Sequence, residues 1–195
     1  MDFTFKRNAN IVAALLLIAA ITQAVYTAFY AAEMVPPRQL LWGAEGLLFT
    51  LLAAFAGAAL AQARNLHLVW SAITAAAVLN VVQVGVGLTM FGPFREAATA
   101  VPDMAPAASA IVAFSFMVYN AAKVLLALAL IGVGLSRGKA LGGISALIGA
   151  VAFVSNALSM ALGRGFSGEL PIAGGSGVLA TILLAVCLFS LPNDD

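Results

Sequence analysis

Six long stretches of this chain contain at most one charged residue each, and this pattern limits the possible folds more than any other feature. Each stretch can cross the ~30 Å hydrocarbon core of a bilayer as an α-helix, which rises about 1.5 Å per residue. Barrel strands would need short segments of alternating polarity, which these stretches lack. The pattern predicts an all-α, polytopic integral membrane protein, a bundle of six transmembrane helices. The predicted spans are approximately residues 9–32, 40–63, 67–91, 106–135, 140–162 and 171–191.

The composition argues against a soluble domain. Hydrophobic residues make up 63% of the 195 residues and charged residues 9%, whereas about a quarter of a soluble domain is charged. A soluble protein of this size could not hide so many apolar side chains. We expect one transmembrane domain, residues 1–195, with short loops and the lipid bilayer as its surroundings. With a net charge of +1 and no stripe of Lys and Arg, nucleic acid is not an expected partner.

Positive charge in the short loops predicts the orientation, because cytoplasmic loops carry an excess of Lys and Arg. We expect both termini to be cytoplasmic, in a bacterial inner (cytoplasmic) membrane. The inner loops then carry Lys6, Arg7, Arg64, Arg137 and Lys139, and the outer loops Arg38, Arg95 and Arg164.

Polar side chains within the spans are concentrated in one half of the bilayer, whereas the other half is almost entirely Ala, Leu, Val and Ile. Ionisable groups in hydrocarbon are costly and often functional. The asymmetry predicts a polar pocket in the outer half, closed at its inner end. The candidate ligand-binding residues are Lys123, Asn120, Asn80, Gln83, Glu45, Asn156, Gln23 and Tyr26.

These side chains also have a structural interpretation. Asn and Gln commonly hydrogen-bond across helices and hold a bundle together. Glu45 can be solvated near the headgroups, and Tyr26 is a common type of interface residue. Lys123 is the hardest to explain in this way, because a lysine in the middle of a span needs a partner or water. Glu45, the other charge within a span, is its expected ionic partner.

The three spans that run outward share a spacing of small and polar residues, i, i+4, i+7, i+11, which stays on one helix face. The spacing fits a threefold repeat of helical hairpins, but a chain rich in alanine produces such matches by chance. The three series are Ala19, Gln23, Tyr26 and Tyr30; Ala76, Asn80, Gln83 and Gly87; and Ala152, Asn156, Ser159 and Gly163.

The segment 163–177 separates the fifth span from the sixth and contains six of the eighteen glycines. A helix that began only at Val178 would be short for a crossing. Either the sixth helix begins near Pro171, or Ile172 to Gly177 enters the membrane as irregular backbone, which is tolerated against protein or a wet cavity. The segment is then either a gate over the pocket or an ordinary loop.

No motif in the chain specifies a chemistry. The single cysteine, Cys187, excludes an intramolecular disulfide. The single histidine, His67, argues against a His-cluster metal site or a Ser-His-acid triad. No cofactor is assigned. The plan of six helices, cytoplasmic termini and an outward polar pocket resembles the substrate-binding subunits of vitamin uptake transporters, in architecture alone.

Three functions fit these observations. The first is binding or transport of a mostly apolar small molecule with a polar or anionic head, in which Lys123 meets the negative group. The second is a non-catalytic accessory subunit of a larger membrane complex, whose partners are other membrane subunits. The third, with the least support because acids and histidines are few, is an enzyme acting on a lipid or quinone, with Glu45 or Lys123 transferring protons.

Overall fold

The computed structural model describes residues 3–34, 37–137, 140–163 and 172–191, and these residues form helices joined by short turns. Six helical segments within these ranges are long and apolar enough to cross a bilayer. The predicted all-α bundle of six transmembrane helices is thereby confirmed. The α-helices are α1 (Phe5–Ala31), α2 (Arg38–Gln62), α3 (His67–Thr89), α4 (Phe91–Ala100), α5 (Ala105–Arg137), α6 (Ala140–Leu162) and α7 (Ile172–Phe189), with a short 3-10 helix at Pro102–Met104.

Helix α4 was not predicted from the sequence. It follows α3 after Met90, and Pro93 lies in its first turn, where the missing backbone N–H and the fixed φ of proline are tolerated. Pro102 opens the 3-10 helix in the same way, just before α5. Prolines therefore end one spanning helix and begin the next, with α4 between them.

Helix α7 begins at Ile172, close to one of the two predicted starting points. The alternative, an irregular backbone from Ile172 to Gly177, is wrong, because these residues form the first turns of α7. Residues 164–171, which include most of the predicted gate or loop, lie outside the described residues.

The six spanning helices form a closed ring. Each packs against the next along the chain, and α7 returns to α1. Helices α5 and α7 also touch each other, so α6 packs into the groove between them, and α4 rests on α5. This is the up-and-down arrangement that short connections impose on a helical bundle.

Two cations hold one end of the ring together. At one end, the ammonium group of Lys6 donates hydrogen bonds to the carbonyl oxygens of Phe189 and Leu191. Arg137 donates to the Cys187 carbonyl over 2.6 Å and to the Ser190 hydroxyl over 2.7 Å. Two cations thus satisfy carbonyls at the C-terminus of α7, which the helix leaves unpaired. We call this the Lys6 end, and the opposite end, where α2 begins, the Arg38 end.

Candidate functional site

Lys123 is fully enclosed within the bundle, with 2% of its surface exposed. Its ammonium nitrogen Nζ donates to Gln23 Oε1 on α1 over 2.6 Å, and to Thr181 Oγ1 on α7 over 3.4 Å. The ring of Tyr119, one turn away on α5, lies 5.4 Å from Nζ. Lys123 forms no ion pair with Glu45, its most plausible ionic partner from the sequence, and donates instead to neutral oxygens of α1 and α7.

The close passage of Lys123 past α7 depends on Gly177. A Cβ atom at position 177 would lie 3.2 Å from Lys123 Cδ and 3.4 Å from Cγ. The first distance is shorter than an ordinary van der Waals contact between carbons, and the second lies at its lower limit. A glycine of the segment 163–177 therefore makes room for the lysine stem.

Glu45 is held by the residue next to Gln23. The hydroxyl of Thr22 donates to Glu45 Oε1 over 2.7 Å, and the carboxyl group is largely buried. The two charged side chains within the spans are therefore anchored separately, by adjacent residues of α1. Helix α1 is the element that brings their positions together.

A cavity of about 180 Å³ lies beside these anchors, in the half of the bundle towards the Arg38 end; we call it the deep cavity. Side chains of α1, α2, α3 and α5 converge on it. Four of the predicted site residues line it: Gln23, Tyr26, Glu45 and Gln83. Thr27, Trp42 and Tyr119 complete the lining.

A larger groove of about 900 Å³ adjoins the deep cavity between α1, α5 and α7; we call it the side groove. The two share Gln23, Thr27 and Tyr119, and Asn120 is the other predicted site residue that lines the groove. Much of its wall is apolar, including Leu179 and Ile182, which are 45% and 36% exposed on the surface of the bundle. The side groove therefore lies at the face that meets lipid.

Lys123 lines neither space, but it determines the orientation in which the Gln23 amide faces them. An ammonium group can only donate hydrogen bonds, so the Gln23 oxygen must face it. The amide nitrogen Nε2 of Gln23 therefore points away from Lys123. No described residue accepts a hydrogen bond from Nε2. Because Gln23 lines both spaces, its two amide N–H groups are available to a ligand there.

Asn80 and Asn156 line neither space. Each is buried and donates to the carbonyl four residues earlier in its own helix, that of Ala76 over 2.9 Å and that of Ala152 over 2.8 Å. Asn156 also donates to Ala173 O of α7 over 3.2 Å. Their side chains are placed for packing within the bundle rather than for contact with a ligand in either space.

Sequence reasoning missed three residues of the deep cavity: Thr27, Trp42 and Tyr119. The Trp42 ring enters the bundle where a side chain at position 87 would overlap it. Gly87 belongs to the series of small and polar residues in α3, so this series was the sequence signal that could have indicated a large side chain packed there. Tyr119 adjoins Asn120 and lies one turn from Lys123, a position that also points to the site.

The fold and these two spaces define an α-helical integral membrane protein with a cavity among its helices that several polar side chains line. No protein-family model, curated protein or solved structure matches the chain. Its function is therefore argued from the arrangement of its own side chains.

Proposed function

We propose that this protein binds or transports a mostly apolar small molecule. The polar head of the molecule enters the deep cavity, and its apolar body lies in the side groove. The observation that carries the proposal is the wall that the two spaces share, in which Gln23, Thr27 and Tyr119 face both. A cavity with polar side chains beside an apolar groove matches a molecule with one polar and one apolar part.

The lining favours a head that donates hydrogen bonds. Glu45 lines the deep cavity and Lys123 does not, so a carboxylate or phosphate would meet a carboxyl group rather than an ammonium group. Glu45 Oε2 has no donor among the described residues. A hydroxyl or amide head could donate to Glu45 and accept from Gln23. At about 180 Å³, the cavity holds the equivalent of roughly six waters at ~30 Å³ each, enough for a head alone.

The exposed wall of the side groove supports entry from the bilayer. A ligand dissolved among lipid chains would reach Leu179 and Ile182 without crossing an aqueous phase. We place the Arg38 end outside and both termini in the cytoplasm, in a bacterial inner membrane, because more of the loop cations belong to the Lys6 end. The deep cavity then lies in the outer half of the bilayer.

Native mass spectrometry of protein extracted gently from its own membrane tests the proposal. We expect a small-molecule mass bound to the wild type and lost in Gln23→Leu and Glu45→Leu. Gln39→Leu is the matched control, since Gln39 is an exposed glutamine that lines neither space. A wild type without bound mass, or equal retention in Gln23→Leu and Gln39→Leu, would refute the proposal. A heavier assembly containing other chains would favour an accessory subunit instead.

A further inference from the structure

A third space, of about 660 Å³, lies at the Arg38 end; we call it the end cavity. We propose that it binds a phosphate group through Arg38 and Arg95, either the phosphate of a lipid headgroup or free phosphate. This inference is independent of the ligand proposed for the deep cavity, because neither arginine lines that space.

The charge of the end cavity supports an anion. Arg38 and Arg95 both line it, and neither forms an ion pair with any described residue. Glu96 of α4 lines, together with both arginines, an adjoining space of about 550 Å³, but it does not line the end cavity itself. Two guanidinium groups without a carboxylate partner among the described residues present planar sets of N–H donors that match the oxygens of a phosphate.

Aromatic rings hold Arg38 over the face of α4 that carries Arg95. The guanidinium carbon of Arg38 lies 5.2 Å from the centre of the Trp42 ring and 5.8 Å from that of Phe91. Phe91 and Arg95 are four residues apart on α4, so they share a helix face. Arg38 is therefore stacked over the helix face that carries Arg95, and this stacking reduces the side-chain entropy that Arg38 loses when it binds an anion.

The remaining lining suits the rest of a lipid headgroup region. Ser109 of α5 faces the end cavity, and its hydroxyl has no partner among the described residues. Phe94 and Val112 provide apolar surface beside it. Both an oxyanion and the first carbons of an acyl chain would find matching surfaces here.

Tyr26 and Trp42 separate the end cavity from the deep cavity. Both residues line both spaces, and their ring centres are 5.7 Å apart. The end cavity presents two cations and the deep cavity a carboxyl group. The two sites therefore differ in the charge of the group that each accepts.

The test compares lipid retention by native mass spectrometry from micelles containing equal amounts of phosphatidylglycerol and phosphatidylcholine with the same acyl chains. Both lipids carry a phosphate, but the choline cation of phosphatidylcholine offsets its charge and is repelled by the arginines. We therefore expect wild type to retain phosphatidylglycerol at least about tenfold better, and Arg38→Gln/Arg95→Gln to lose that preference. Arg64→Gln, an exposed arginine at the Lys6 end, is the matched control. Arg95→Gln alone is the second variant, because Arg95 makes no ring contact whose loss would disturb the fold.

Thermal stabilisation by inorganic phosphate, measured against chloride at equal ionic strength, separates the two sources. If phosphate stabilises wild type and Arg64→Gln but not Arg95→Gln, the result supports a site for the free anion. Lipid preference without this stabilisation supports a lipid headgroup. Equal retention of both lipids by wild type together with no effect of phosphate would overturn the inference, as would a preference that survives in both arginine variants.

Discussion

At the scale of single residues, Lys123 acts as a positioning group for Gln23. Its ammonium nitrogen is bound by Gln23 and Thr181, and Lys123 lines neither the deep cavity nor the side groove. The hydrogen bond to Gln23 Oε1 leaves the amide N–H groups of Gln23 for the deep cavity and the side groove. In the proposed function, a lysine in the middle of a span would thus contribute to ligand binding without touching the ligand.

Lys123→Met tests this role. The substitution removes a buried charge, which is often neutral or stabilising when an apolar side chain of similar size replaces it. It also frees the Gln23 amide to turn. We expect retention of the bound small molecule to fall by about tenfold or more, with the melting temperature of the empty protein unchanged or raised. In a Gln23→Leu background, Lys123→Met should have no further effect on retention; an additional loss would contradict the positioning role.

Gly177 and Gly175 provide a second comparison at this scale. Gly177→Ala places a methyl group against the stem of Lys123, and overpacking of this kind costs about 1–3 kcal/mol. Gly175→Ala, two residues away in the same helix, meets nothing within 4 Å, and we expect it to be neutral or slightly stabilising. Thermal unfolding in detergent measures both. Equal melting temperatures for the two variants would show that the lysine stem has room to move.

At the scale of helices, small residues decide how closely neighbours approach. Helices α5 and α6 meet at Gly134 and Gly142, where a Cβ atom at position 134 would lie 2.8 Å from the Gly142 carbonyl oxygen. Such close approach of backbones is the usual basis of helix association in lipid. The series of small and polar residues fits this scheme, since Ala19, Ala76 and Ala152 are all buried. The threefold hairpin repeat itself stays a prediction.

Gly142→Ala and Gly143→Ala test the contact between α5 and α6. A methyl group at 142 would meet the backbone of α5, which cannot move aside as a flexible side chain can, whereas one at 143 meets nothing within 4 Å. We expect Gly142→Ala to lose about 1–3 kcal/mol of stability and Gly143→Ala to lose none. Chemical or thermal unfolding of the purified variants gives the difference, and a Gly142→Ala variant as stable as wild type would contradict the contact.

The C-terminus of α7 depends on cations from two other elements. Lys6 and Arg137 both donate to its last carbonyls, and each charged hydrogen bond contributes about 1.5–3 kcal/mol. Lys6→Ala and Arg137→Ala should each lower the melting temperature. If the end of α7 frays once either cation is removed, the double variant should lower the melting temperature by less than the sum of the two single decreases. Arg64 lies at the same end but has no described hydrogen bond, so we expect Arg64→Ala to leave the melting temperature unchanged. A decrease equal to that of the other two variants would contradict a specific role of Lys6 and Arg137 at the end of α7.

At the scale of the whole molecule, the ring of helices and the loop charges together predict how the protein lies in the membrane. Cys187 is buried, so a single cysteine introduced into a Cys187→Ala background reports its own position. With the Arg38 end outside, Thr99→Cys should react with a membrane-impermeant maleimide added to intact cells. Arg64→Cys should react only after the membrane is opened. The reverse pattern would invert the orientation and place the deep cavity in the inner half of the bilayer.

The amino-acid sequence by itself determined the number of spanning helices, the lipid environment and the half of the bundle that carries the polar groups. Each of these depends on properties read along the chain: the length of an uncharged stretch relative to the bilayer, and the position of a polar residue within it. It also identified Gln23, Tyr26, Glu45 and Gln83, which meet in one cavity.

The tertiary structure alone decided which polar groups become partners. It placed Lys123 on Gln23 rather than on Glu45, removed Asn80 and Asn156 from the cavity linings, and brought Arg38 beside Arg95. In water, an apolar stripe reveals the inward face of a helix, but helices surrounded by lipid are apolar on every side. The rotation and neighbours of each helix, and therefore its polar contacts, are set by close packing between helices distant in sequence.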